Sequence, residues 1–229
     1  MEQEVDEILA LAEELKRPLV TLRQLALSFD GAGEGDERAR TEMVSVSDRA
    51  IRQVNDLMKM RRLEDGLFKM EPVSVRGVCD EATREILKLF KYNRRDLFVK
   101  YANRMRLVMA NRELLKSVVW NFLLSAVHYA NNGERAELIV RDNRDKVRIE
   151  VRDYGPALPS DVWREIKRGW LEKPKSIAMR PGTSGMGLFI ASRLSEYMNG
   201  EVGVTRHRDG TSFYVNLPVS RQMSLFEVV

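Results

Sequence analysis

The chain has 229 residues, 44% apolar and 31% charged, with a net charge of +4. That apolar content supports one large or two small folded domains and excludes a disordered chain. A single cysteine, Cys79, excludes a disulfide framework and a cysteine metal cluster, and it points to a reducing, cytoplasmic compartment. The longest apolar stretches fall short of the about 18–20 residues of a membrane span, and the acidic N-terminus lacks signal-peptide order, so no membrane contact is expected. The 38 basic and 34 acidic residues are interspersed, without a basic run threaded by aromatics, so direct nucleic-acid binding is not expected either.

Residues 1–67 carry helical periodicity only. Ile8, Leu11, Leu15, Leu19, Leu22, Ala26 and Phe29 recur every three or four residues and line one helical face. The three glycines of Asp30-Gly-Ala-Gly-Glu-Gly-Asp36 predict a break. A second stripe follows through Met43/Val44, Ala50/Ile51, Val54 and Leu57/Met58, ending near Gly66. Two such helices bury little alone, so the hairpin is expected to pair with a second copy in a four-helix bundle. Packing onto the rest of its own chain is the alternative.

From residue 73 the pattern becomes α+β. A short strand is expected at Val73–Val75, then a helix from Gly77 to Phe90. Strands follow at Leu97–Ala102 and Arg106–Ala110, and Asn111 is placed to cap the helix through Leu114, Val118, Asn121 and Leu124. Ala136–Arg141 and Lys146–Asp153 read as a hairpin around Asn143-Arg-Asp145. A helix is expected at Ser160–Trp170, a loop at Lys173–Pro181, and a helix from Gly187 to Asn199 that stops at Gly200. Glu201–Thr205 and Thr211–Leu217 close the sequence of elements as strands. Helices gathered on one face of a mixed sheet make an α/β sandwich.

Two glycine features carry chemistry. Asp153-Tyr-Gly155-Pro-Ala157 stands where a strand ends, and a carboxylate there can accept a hydrogen bond from an exocyclic amine such as that of adenine. Gly182-Thr-Ser-Gly185-Met-Gly187-Leu188 opens a helix, where backbone N–H groups and the helix dipole favour an anion. Taken alone, the second is equally a tight turn. It is not a Walker A loop, because no Lys-Ser/Thr follows, and no strand precedes it as a dinucleotide fingerprint requires.

The order of Asn121 on a helix, Asp153-x-Gly155, the Gly182–Gly187 loop and Gly210-Thr-Ser-Phe213 in the last strand resembles the ATP-binding domain of sensor histidine kinases, Hsp90, DNA gyrase and MutL, the GHKL or Bergerat fold. The histidine kinase branch fits best, because Glu13-Glu-Leu-Lys-Arg-Pro-Leu19 looks like its H-box. The resemblance implies a helical-hairpin dimerisation domain over 1–67, an ATPase-like domain over 68–219 and a tail over 220–229. It implies ATP or ADP as ligand, held by Asn121, Ser125, His128, Tyr129, Asp153, Gly155, Gly182, Ser184, Gly185, Gly187, Leu188 and Thr211. Asn121 and Ser125 fall on the family's magnesium-site positions. A homodimer docking a response-regulator receiver domain is the implied assembly.

Several positions depart from the family. The phosphorylated histidine is replaced by Glu13, and a carboxylate has no ring nitrogen to carry a phosphoramidate. Arg17 stands where Thr or Asn serves phosphatase activity. Ser125 replaces the second asparagine of the N-box, which weakens or removes magnesium binding. His128 takes the place of a phosphate-contacting basic residue, or is simply an exposed helix residue. Ala157 replaces a glycine. The expected protein is therefore a dimeric scaffold that has lost its autokinase; a working ATPase or a kinase acting in trans is the alternative.

The tail residues Gln222-Met223-Ser224-Leu225-Phe226 resemble the bacterial sliding-clamp-binding peptide, in which two apolar side chains fill a pocket and the glutamine bonds at its rim. That implies a replication role. Packing on the chain's own domain, or a chance match, is the other reading.

Overall fold

The structure, a computed structural model, describes residues 16, 18–27, 34–129, 135–167 and 186–220. Residues 18–27 are helical (α1), and helix α2 spans Glu34–Glu64. Helix α2 is already under way at Glu34 and takes Gly35, the last of the three glycines, into its first turn. It ends where expected, with Gly66 at φ +64 and its N–H donating to the Leu63 carbonyl at 3.1 Å.

Beyond the hairpin the elements run β1 (Glu71–Val73), α3 (Val75–Tyr92), β2 (Asp96–Tyr101), β3 (Val108–Ala110), α4 (Arg112–Tyr129), β4 (Arg135–Asn143), β5 (Lys146–Asp153), α5 (Ser160–Lys167), α6 (Met186–Tyr197), β6 (Glu201–His207) and β7 (Gly210–Pro218). Val75 belongs to α3 rather than to the first strand. Ser74 supplies the reason: its Oγ caps the helix by accepting from the Gly77 N–H at 3.4 Å. Asn111 caps α4 as its sequence position suggests, its Oδ1 accepting from Glu113 and Leu114 N–H, each at 3.1 Å. At the far end of α6 the left-handed residue is Asn199, φ 54, not Gly200. Gly200 is needed for space instead, because a Cβ there would stand 2.7 Å from Leu217 Cδ2.

The five-stranded sheet runs β2-β4-β5-β7-β6, with β2 and β4 parallel and the other pairs antiparallel; β1 and β3 form a separate two-stranded ladder. Alternate residues point inward: Ala136, Leu138 and Val140 from β4, Val147, Ile149 and Val151 from β5, Phe213, Val215 and Leu217 from β7. They meet Ile86 and Phe90 of α3, Leu115 and Phe122 of α4, and Ile190 and Leu194 of α6 in one buried core. The outer face is polar. Glu137 is held there by Lys100 and Arg135, and Glu150 by Arg141 and Arg148.

Helix α2 uses two faces. Val46 and Asp56 are buried, and Leu57, Met60 and Leu63 pack against the core, so this helix does lie on its own chain. Val44, Ile51 and Met58, seven residues apart, form a second apolar line on the other side and are 56–59% exposed. Leu19 and Leu27 of α1 are exposed as well.

Candidate functional site

Strand β5 delivers Asp153 to the edge of the sandwich between Ala136 of β4 and Thr211 of β7, its register partners. Both candidate side chains are buried, Asp153 at 1% exposure and Thr211 at 0%. Asp153 Oδ1 accepts from the Gly155 N–H at 3.1 Å, and Thr211 Oγ1 accepts from the Leu158 N–H at 3.3 Å, so the pair also shapes the chain that leaves the strand. Gly210 makes this closeness sterically feasible. It sits at φ +138, and a Cβ on it would fall 2.0 Å from the Asp153 carbonyl oxygen. A buried carboxylate beside a hydroxyl is suited to an exocyclic amine and a ring nitrogen of a base.

Asn121, Ser125 and His128 share one face of α4 through spacings of four and three. Asn121 is 8% exposed, and the carbonyl end of its amide packs against Gly187 in the first turn of α6, where a Cβ would stand 2.8 Å from Oδ1. Its Nδ2 donates to Asp56 Oδ2 at 3.0 Å and to the Ser117 carbonyl at 2.9 Å. Leu188 follows Gly187 into the buried side of α6. Ser125 is half-buried.

The His128 ring keeps an accessible edge but is hemmed in by protein. Enclosure pushes its pKa down to about 4, and repulsion from the Arg49 and Arg95 guanidinium groups adds to the effect. Arg49 Nη1 lies 2.9 Å from His128 Nε2, and the guanidinium must donate, so the ring is a neutral acceptor there. The cation at this place is Arg49, with the exposed His128 ring as its neutral acceptor.

Asn121 and Ser125 are neutral, and the nearby carboxylate, Asp56, already binds Lys59 Nζ at 3.2 Å. Among the described residues no three His, Cys, Asp or Glu side chains converge. Asp56, Arg49 and Lys59 were not singled out from sequence, where they read as a solvated helix face. Their signal is spacing alone: positions 49, 56 and 59 are seven and three residues apart and share one helical face. Glu13, Arg17, Gly182, Ser184, Gly185 and the peptide Gln222–Phe226 lie outside the described residues, as does the Tyr129 side chain.

Residues 110–221 match the family model described as histidine kinase-, DNA gyrase B-, and HSP90-like ATPase. The alginate biosynthesis sensor protein KinB of Pseudomonas aeruginosa is 24% identical over 225 residues, 93% of this chain and 36% of that protein. The adaptive-response sensory kinase SasA of Prochlorococcus marinus is 25% identical over 217 residues, 91% of this chain and 55% of that one. The chain thus spans roughly a third to a half of these curated relatives. Among solved structures, histidine kinase ThkA in complex with the response regulator protein TrrA superposes with a TM-score of 0.65 at 16% identity, covering 94% of this chain and 61% of that one. Acinetobacter baumannii histidine kinase AdeS does so with a TM-score of 0.63 at 13% identity, covering 91% and 98%. No helix among the described residues is long and apolar enough to cross a membrane.

Proposed function

We propose that the chain, whose residues 110–221 match the histidine kinase-, DNA gyrase B- and HSP90-like ATPase family, is a member of the sensor histidine kinase branch that acts as a regulatory scaffold without autokinase activity, dimeric through residues 1–67, and binds adenine nucleotide weakly over 68–219. The observation that carries this reading is the absence of a usable imidazole. The chain has two histidines, neither in the hairpin. His128 is neutral and engaged with Arg49, and His207 Nε2 lies 2.8 Å from Ser212 Oγ. Glu13 cannot form a phosphoramidate.

The nucleotide half of the reading rests on the buried Asp153–Thr211 pair, which suits adenine, beside an N-box without a carboxylate free for a metal. The dimer half rests on the outer line of α2, Val44, Ile51 and Met58, which is exposed among the described residues. A response-regulator receiver domain is the proposed partner in the cytoplasm, because ThkA is seen in complex with one.

The test is incubation with γ-labelled ATP and magnesium, with and without candidate receiver proteins. No phosphoprotein and no phosphate release is expected. Turnover abolished by Asp153→Asn would establish an ATPase or a kinase acting in trans instead. A second reading, attachment to the sliding clamp, is favoured by one sequence observation, the Gln222–Phe226 peptide. Retention on immobilised clamp should vanish on truncation after Pro218; unchanged retention removes the motif from the account.

A further inference from the structure

We propose that α2 is a latch on the nucleotide site: Asp56 occupies Asn121 in the closed arrangement, and nucleotide binds when α2 swings away about Gly66. The proposal deepens the nucleotide reading above and rests on it.

An asparagine side chain has two N–H donors. In Asn121 one goes to Asp56 Oδ2 and the other to the Ser117 carbonyl, while its oxygen packs against Gly187. A ligand that needs this amide must therefore displace Asp56. The contact is built into the packing rather than casual. Asp56 is 2% exposed, and a carboxylate that deep is tolerable only when compensated, here by Lys59 and Asn121 together.

The same alternation of three and four residues along α2 sets four polar side chains against α4. Arg49 meets His128, the Arg52 guanidinium lies 4.3 Å over the Trp120 ring, Asp56 meets Asn121, and Lys59 Nζ donates to Ser117 Oγ at 2.8 Å. Arg52 also pairs with Glu85 of α3 at 3.0 Å. The polar part of this seam separates at modest net cost, because each group trades its partner for water or ligand; opening also uncovers Val46, Leu57, Met60 and Leu63, which keeps the closed form the major one.

The pivot is equally specific. Gly66 is left-handed and exposed, with nothing within 4 Å of a notional Cβ. Two residues later Phe68 is buried. Its ring packs edge-on to Tyr197 at 6.3 Å between centroids, and its carbonyl accepts from Tyr197 Oη at 3.1 Å. Motion of α2 can therefore start at Gly66 and stop at Phe68. The outer line of Val44, Ile51 and Met58 takes no part in closure, so a dimer and a closed latch are compatible.

When only the open fraction binds, apparent affinity is the intrinsic affinity scaled by that fraction. Calorimetric titration of ADP into the full chain should give about tenfold tighter binding in Asp56→Ala, from loss of a charged hydrogen bond that holds the closed form. Arg52→Ala, on the accessible rim of the same seam, should shift affinity the same way by about threefold. Saturating ADP should lower hydrogen-exchange protection of residues 46–63 in the wild type while the sheet stays protected. If both variants bind ADP no tighter than wild type, or if residues 46–63 keep their protection at saturation, the latch is wrong. Binding that Asp153→Asn abolishes but neither α2 variant improves removes the latch and leaves the nucleotide reading standing. No ADP binding by any of the proteins removes both.

Discussion

On its sheet-facing side α4 sets Leu115, Val119, Phe122 and Ala126 into the core, with Phe122 stacked on Phe213 at 6.3 Å. On the side facing α2 the same helix presents Ser117, Asn121 and His128 to Lys59, Asp56 and Arg49. The first face gains stability from area removed from water and has no alternative partner. The second adds hydrogen bonds and charge, whose net worth is small because other partners can replace them, to the packing of Val46, Leu57, Met60 and Leu63. One helix thus holds a permanent interface and an exchangeable one back to back.

The contrast predicts how differently the two faces respond to damage. Phe122→Ala should cost about 3–5 kcal/mol of global stability, read by urea denaturation, because it empties the middle of the sheet-facing layer. Gly210→Ala should cost about 2 kcal/mol, since it forces a left-handed residue and a Cβ into the Asp153 carbonyl. It should also weaken nucleotide binding at that strand end; an unchanged affinity would detach Gly210 from the site. Lys59→Met should cost about 1–2 kcal/mol by removing the ammonium from a buried carboxylate. That loss should appear in the hydrogen exchange of residues 46–63 and hardly at all in the sheet, so a global loss would erase the distinction between the faces.

The smallest effect is that of pH. The docked His128 titrates at about 4 against an ordinary 6.5. Between those values the undocked state binds a proton that the docked state does not, so the contribution is complete above pH 6.5 and declines as pH falls toward 4. Protonated His128 would face Arg49 from α2 and Arg95 from the turn after α3 as a like charge. Protection of residues 46–63 should fall from pH 7 to pH 5, and His128→Asn should flatten that dependence.

Most of the ATPase-like fold was legible because its signals are local. Alternation marked β4, β5 and β7, and Asn111 announced α4. Asp153 and Gly155 could be singled out for the same reason, since they sit together at a strand end. The rest depended on contacts distant in sequence. Asp56 and Asn121 are 65 residues apart, and nothing local distinguishes a carboxylate that will be buried from one that will be hydrated. The depressed titration of His128 was hidden likewise, because Arg49 and Arg95 come to it from other elements. The capping role moved from Gly200 to Asn199, a one-residue difference that asparagine's tolerance of the left-handed region allows.

The 31 residues of α2 rise about 45 Å from the glycine at its foot. A turn of only about 10° there carries the opposite end through roughly 8 Å over that length. Asp56 lies ten residues from Gly66, about 15 Å along the axis, and the same turn would move it by roughly 2.6 Å, so a push on the distal end of the rod acts with leverage on its hydrogen bond to Asn121.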